Sequence, residues 1–310
     1  MNSQKIKTEN RKKNNLPELN YLISIFSISV FSISVFLISN LCLYAAFFDS
    51  INTGARQFAL AGSYLAISDD AYATNPAGLG QISAHQVGAS HNSIYDVSDL
   101  GDNLFSGVIH YGRGSVQVGL RRFGILGEYS EDTYLIGYGR EVTDDFWAGF
   151  NYKVLGVSAP GYSKTGDNLY KGGSFSISFD IGLLIHFYNN FKFAFVLNNI
   201  NSPEFKMLSS SPESEKLNMD AGAGLTYSIM ENMLFSLEYW KISGDFKVGS
   251  EISISDAFFL RLGTNKNNFT GGIGTKFYVY KGMSAQIDFG FSSHRILGFS
   301  HQVSTIFRWQ

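Results

Sequence analysis

Residues able to do chemistry are sparse in this 310-residue chain. Six histidines stand at 85, 91, 110, 186, 294 and 301, and a single cysteine at 42. An imidazole metal site needs His-x-x-x-His on a helix, or Cys and His at short fixed intervals. Neither spacing occurs, so no metal site is expected. A serine hydrolase of the nucleophile-elbow type needs G-x-S-x-G, which is also absent. GGIGTK at 271–276 has the glycines of a phosphate loop without its spacing. No catalytic residue and no cofactor is expected on these grounds. What remains is charge. The acids are Asp180, Asp220, Glu238, Glu251 and Asp288, and the bases Arg121, Lys153, Lys192 and Lys276; all but Arg121, which precedes Arg122, have uncharged neighbours.

The elements that must carry these charges have period two. In Gly173 to Phe187, GSFSISFDIGLLIHF, the residues Phe175, Ile177, Phe179, Ile181, Leu183, Ile185 and Phe187 fall on one face. Ser174, Ser176, Ser178, Asp180, Gly182, Leu184 and His186 fall on the other. A strand turns successive side chains to opposite sides, so one face is apolar and the other small or polar. The same alternation marks 146–154, 217–227 and 284–291. Weaker versions lie at 84–94, 104–112, 114–123, 132–141, 191–199, 233–241, 245–254, 257–266, 268–280 and 298–309. Together these predict about fourteen strands. All of the isolated charges above fall on the polar face.

Two architectures use alternating strands. A sandwich packs apolar faces into a core and turns polar faces to water. A transmembrane barrel turns apolar faces to lipid and lines its lumen with the polar ones. Segments near ten residues, Phe and Tyr at strand ends, and polar faces rich in Gly and Ser with single charges favour the barrel. Composition agrees. The chain holds 32 Gly, 27 Phe and 17 Tyr, with charged residues at 16% against about 25% in ordinary soluble domains. Low charge with many aromatics excludes a disordered chain, and one cysteine excludes a disulfide scaffold. A net charge of −2 suggests no nucleic-acid partner. Tight connections are expected at Tyr188–Asn190 and Asn265–Asn268, and long polar ones at 157–172 and 200–216, with short turns on one rim and long loops on the other.

The front of the chain differs. Residues 1–20 are basic, and 21–46 are almost uncharged and apolar. That order is the arrangement of a secretory signal, cleaved near Ala45 or Ala46, with a retained transmembrane anchor as the alternative. Cys42 lies inside it, and Leu41 before it is too large for a lipoprotein site. Residues 47–83 do not alternate, and 84–310 form the barrel. Within 51–82 Ala and Gly dominate, and Asn75-Pro76-Ala77-Gly78 is a turn signal. Composition leaves open whether this is a short helix and turn leading into the first strand, or an element inside the lumen.

The string GARQFALAGSYLAISDDAYATNPAGLGQI resembles the amino-terminal hatch of the long-chain fatty-acid outer-membrane transporter family. It is more closely similar to the PorV and PorQ branch associated with type IX secretion. There a Gly-Ala-Arg start, an Asp-Asp pair (here Asp69 and Asp70) and Asn-Pro-Ala-Gly-Leu recur. The end, DFGFSSHRILGFSHQVSTIFRW, is similar to the same branch. This chain departs from it by placing Gln310 after the terminal aromatic Trp309.

The resemblance implies a fourteen-stranded barrel in the outer membrane of a Gram-negative-type cell, contacting outer-membrane lipid, with the hatch inside. It makes Asp69, Asp70, Asn75, Pro76, Ala77 and Gly78 the hatch and gating candidates. The lumen-facing charged candidates are Asp180, Glu238, Glu251, Asp288, Arg121, Lys192 and Lys276, as bridges across the barrel or as a polar conduit. The partner is a hydrophobic small molecule, or a secreted protein and secretion-system components. An outer-membrane lipase-like enzyme and a purely structural barrel are the alternatives.

Overall fold

The computed structural model describes Phe48 and residues 54–160, 173–188, 190–206 and 214–310. The expected leader, with Cys42, lies outside the described residues. Sixteen strands follow in chain order: β1 (His85–Ser93), β2 (Leu100–Tyr111), β3 (Gly114–Ile125), β4 (Tyr129–Thr143), β5 (Phe146–Ser158), β6 (Ser174–Phe187), β7 (Phe191–Asn198), β8 (Glu204–Phe205), β9 (Glu215–Lys216), β10 (Asp220–Met230), β11 (Met233–Trp240), β12 (Asp245–Ser255), β13 (Phe258–Thr264), β14 (Asn268–Tyr280), β15 (Met283–His294) and β16 (Gly298–Trp309). All but β8 and β9 form one closed antiparallel barrel of fourteen strands, each beside its neighbour in sequence. β1 closes on β16 with His85 opposite Trp309. Closure leaves no open edge, which is the condition for strands to cross a bilayer.

The wall follows the alternation. On β6 Phe175, Ile177, Phe179, Ile181, Ile185 and Phe187 are exposed on the outside, while Ser178, Asp180 and Leu184 are buried on the inside. The same holds around the ring, from Val116, Val118 and Leu120 on β3 to Val303 and Phe307 on β16. An apolar surface encircling the whole barrel has no stable place in water, and it matches the lipid-facing band of a transmembrane barrel. Near one rim the band ends in aromatic side chains, among them Tyr111, Tyr188, Tyr280 and Trp309. Some of them pack ring on ring, as in Phe187–Tyr188, with centroids 4.7 Å apart.

The two rims differ. One carries connections at 112–113, 144–145, 188–190, 231–232, 256–257 and 281–282, plus the start of β1 and the end of β16. The other carries 94–99, 126–128, 159–173, 199–219, 241–244, 265–267 and 295–297. The two tight turns read from the sequence therefore lie on opposite rims. Asparagine chemistry specifies a turn, but which rim it occupies depends on counting strands.

The polar connection at 200–216 also holds more structure than its composition suggests. β8 and β9 pair within it, and Phe205 stacks on Phe48 with ring centroids 5.4 Å apart. These two rings join Leu155 and Val157, inward residues at the long-loop end of β5. Above the lipid band the inside of the wall has thus become apolar, where loop and wall cover each other.

Among the described residues ahead of the barrel lie a five-residue helix, α1 (Ala55–Ala59), and a 3₁₀ stretch, Pro76–Gln81. Neither is long enough to be stable alone. Among the described residues, no helix is long and apolar enough to cross a membrane.

Candidate functional site

Residues 54–82 are buried almost throughout, and the groups that bury them are inward-facing residues of the barrel strands. α1 touches β13, β14, β15 and β16, while Pro76–Gln81 touches β3, β4, β5 and β6. The segment therefore reaches nearly opposite parts of the inner wall.

Its backbone seats on glycines. Leu60 lies over Gly249 and Gly263, and Pro76 lies over Gly139 and Gly149. Asn75 and Pro76 meet Gly182 in the same way. A single added methyl at any of these would overlap the segment, so the inward glycines are a floor shaped for it.

Side chains of the wall finish what a short helix cannot. Ser304 Oγ accepts from the Ala55 amide at 3.0 Å, and Thr270 Oγ1 donates to the Ala59 carbonyl at 2.8 Å. These replace the partners that a helix end lacks. Glu238, buried on β11, accepts the Tyr64 and Leu65 amides at 2.8 and 2.9 Å on one oxygen. Its other oxygen accepts Trp240 Nε1 at 2.6 Å and Lys247 Nζ at 3.3 Å. A carboxylate with four donors is stable away from water.

A second charged group links segment and wall. Arg56 holds Glu251 of β12 with two bonds, at 2.7 and 2.8 Å, and Asp69 at 2.6 Å. Arg261 of β13 binds the same Glu251 and reaches Asp288 of β15 at 2.7 Å. The chain Asp69–Arg56–Glu251–Arg261–Asp288 alternates in sign along its whole length. Asp70 accepts the Tyr64 hydroxyl at 2.6 Å and the Tyr72 amide at 2.9 Å. Burial pushes the Asp70 carboxyl above its usual range, the charge of Asp69 adds to the rise, and Arg56 opposes it.

The turn is built by Asn75. Its Oδ1 accepts from the Ala77 amide at 3.0 Å, while its Nδ2 donates to the carbonyls of Leu65 and Leu183, at 3.2 and 3.1 Å. Pro76 follows at the first position of the 3₁₀ stretch, where its fixed φ fits and its missing N–H costs nothing. Ala77 and Gly78 are buried with it. Gln81 then receives Lys192 Nζ on its side-chain oxygen and donates to the Ile67 carbonyl at 2.9 Å.

The structure thus gathers Asp69, Asp70, Asn75, Pro76, Ala77, Gly78, Glu238, Glu251, Asp288 and Lys192 onto one packed unit. Lys276 lies beside it, on β14. Two others stand apart. Arg121 is forked onto Asp102 at 2.8 Å, and Asp180 pairs with Lys153 at 2.7 Å and accepts the Asn199 amide at 3.0 Å. Both serve wall and loop rather than the segment.

Sequence reading passed over Arg56, Tyr64, Tyr72, Arg261, Gln286 and Arg308. Arg261 was within reach, because it alternates with Leu260 and Leu262 and so must point inward. The Tyr72 hydroxyl, 2.7 Å from the carbonyls of both Ala89 and Thr305 at the β1–β16 seam, left no trace in local pattern.

Histidine and serine chemistry stays local. Ser115 Oγ lies 3.4 Å from His110 Nδ1 and donates to the Ile82 carbonyl at 3.2 Å, so its proton is committed to the backbone. Among the described residues, no three His, Cys, Asp or Glu side chains converge to hold a metal ion.

No protein-family model matches the chain, and no curated protein is similar to it in sequence. Among solved structures it is similar to the toluene transporter TbuX of Ralstonia pickettii, at 14% identity and TM-score 0.57, over 85% of this chain and 100% of that one. It is similar also to the toluene transporter TodX of Pseudomonas putida, at 10% identity and TM-score 0.60, over 83% and 98%. A FadL homologue of Pseudomonas aeruginosa gives 10% and 0.54, over 85% and 98%. At identities this low the likeness shows a shared fold and nothing more.

Proposed function

We propose that this chain is an outer-membrane barrel of FadL-like type that passes a hydrophobic small molecule, with residues 54–82 as a hatch in its lumen. The observation that carries the reading is how the segment is held. Hatch and wall are joined by backbone seated on glycines and by hydrogen bonds and ion pairs, all of which can be broken and re-formed. An element that must release needs such a seat. Transporters of toluene and a FadL homologue have the same fold, which supports a hydrophobic cargo. Among the described residues the site offers no activated nucleophile, in keeping with a non-enzyme; we read the leader as removed on export.

The test is transport with and without the hatch. Wild-type barrel in planar bilayers should conduct little. A variant lacking residues 51–82 should open a steady channel, and liposomes carrying the wild type should take up toluene faster than empty ones. Unchanged conductance after deletion would remove the hatch assignment.

The similarity of the hatch and of the C-terminal strand to the PorV and PorQ branch supports a second reading, a component of a type IX-like secretion system. Under it, deleting the gene would block release of secreted proteins while toluene uptake stayed the same.

A further inference from the structure

Toward the short-turn rim the inner wall holds more positive than negative charge. A cavity of about 260 Å³ is lined there by Arg56, Arg261, Lys276 and Arg308, against only Asp69 and Glu251 among the acids. Those acids are already engaged. Glu251 is shared by Arg56 and Arg261, and Asp69 is taken by Arg56. Asp288, next to the cavity, is held by Arg261 and by the Gln286 amide at 2.8 Å.

Lys276 and Arg308 are not engaged by these acids; the Lys276 ammonium lies over the Tyr278 ring, 5.7 Å from its centroid. Among the described residues, no ion pair joins either of them to a carboxylate. Both flank one residue: Lys276 of β14 lies directly opposite Gln286 of β15, and Arg308 of β16 donates to the Gln286 side-chain oxygen at 3.0 Å. Gln286 cannot turn to offer either of them more, because its amide is tied to Asp288. Two like charges therefore face one cavity from strands on either side of a fixed neutral residue. An anion placed between them relieves the repulsion and accepts charge-assisted hydrogen bonds from both. The guanidinium fork matches the paired oxygens of a carboxylate or a phosphate, and the ammonium adds a point charge.

The geometry points to an oxyanion-binding site in this cavity, in which Lys276 and Arg308 hold the carboxylate or phosphate group of a small anion. Gln286 is its positioning residue, and the Arg56–Asp69 pair of the segment forms one wall. Anion recognition here does not depend on transport, so the two readings stand or fall separately.

Titration calorimetry on the full-chain barrel in detergent tests the site, with sodium butyrate and inorganic phosphate as probes. Sodium chloride at equal ionic strength is the control. The wild type should bind one equivalent of at least one probe. The Lys276→Gln/Arg308→Gln variant should bind it about tenfold more weakly per charge removed, the fold-change expected of one charge-assisted hydrogen bond. Lys276→Arg should retain binding. Butyrate alone assigns a carboxylate, phosphate alone a phosphate group, and both a general oxyanion site. Unboiled gel migration reports whether each variant is folded, and Lys276→Gln alone is read in the same way should the double variant not fold. Absence of saturable binding to either probe, or binding unchanged in the folded variant, overturns the proposal. Conductance of the hatch deletion, measured in parallel, keeps failure here distinct from failure of the transport reading.

Discussion

The two ends of the segment inside the barrel are fastened by different physics. Both seat their backbone on wall glycines. The front, from Ala55 to Asp70, adds charges: Arg56 enters the Glu251–Arg261–Asp288 chain, and Glu238 caps Tyr64 and Leu65. The back, from Asn75 to Gln81, is held by shape and by bonds in which no carboxylate of the wall takes part, those of Asn75 with backbone and of Gln81 with Lys192. Shape depends on contact and is indifferent to pH, whereas buried charge responds to protonation and to competing ions. The front is therefore the end whose hold depends on pH and ions, and the back the end whose hold depends on fit.

The largest effect expected is at the charged end. Arg261→Met leaves Glu251 and Asp288 buried without their shared cation, which costs about 3–5 kcal/mol when a buried pair is broken. The unfolding midpoint followed by heat-modifiable migration should fall, and amide exchange should rise first over residues 55–65. A change too small to move the midpoint would mean that the charges are hydrated, and the contrast between the ends would lose its basis.

At the other end, Gly149→Val places a side chain where Pro76 sits, an overpacking cost of about 1–3 kcal/mol. Exchange should rise over 75–81 while 55–65 stays protected. If both ends loosen together, the segment is a single cooperative unit.

The smallest effect sharpens the electrostatic side of the comparison. The Asp70 carboxyl is raised in the folded protein, so the docked segment favours its neutral form. Its contribution is complete below the unfolded value of about 3.9 and is lost as pH rises through the raised folded value. Asp70→Asn removes that slope and keeps groups able to bond Tyr64 and Tyr72. Docking at neutral pH, read by exchange over 55–65, should change by less than about 1 kcal/mol, with a flatter pH profile than the wild type. A steeper profile in the variant would place the pH response elsewhere.

Much of the wall was legible because strand alternation is a local property. Ser178 and Asp180 fall inward and Phe179 outward whatever the rest of the chain does. The strand ends were less legible. β5 runs on to Ser158, because pairing continues above the lipid band, where the inside turns apolar and alternation no longer reports the face. β2 begins already at Leu100, and its extension turns Asp102 inward to pair with Arg121. The site was legible in part. Glu238, Glu251 and Asp288 stood out as single acids on polar strand faces, and Asp69 and Asp70 as the acidic pair of the resemblance, while Arg56 entered only as one residue of a motif and Arg261 was passed over.

By itself, the sequence determined a closed, lipid-facing β wall with small and polar residues inside and a non-alternating, small-residue segment ahead of it. Those features rest on contacts between residues one or two apart, or on composition. The pairing of charges rests on closure. Arg56 meets Glu251 across 195 positions, and Ala55 meets Ser304 across 249, because the ring brings β16 back to β1 and the segment folds into the space it encloses. No local pattern encodes which inward charge finds which partner. That choice was made by the tertiary structure, which also left Lys276 and Arg308 on either side of Gln286.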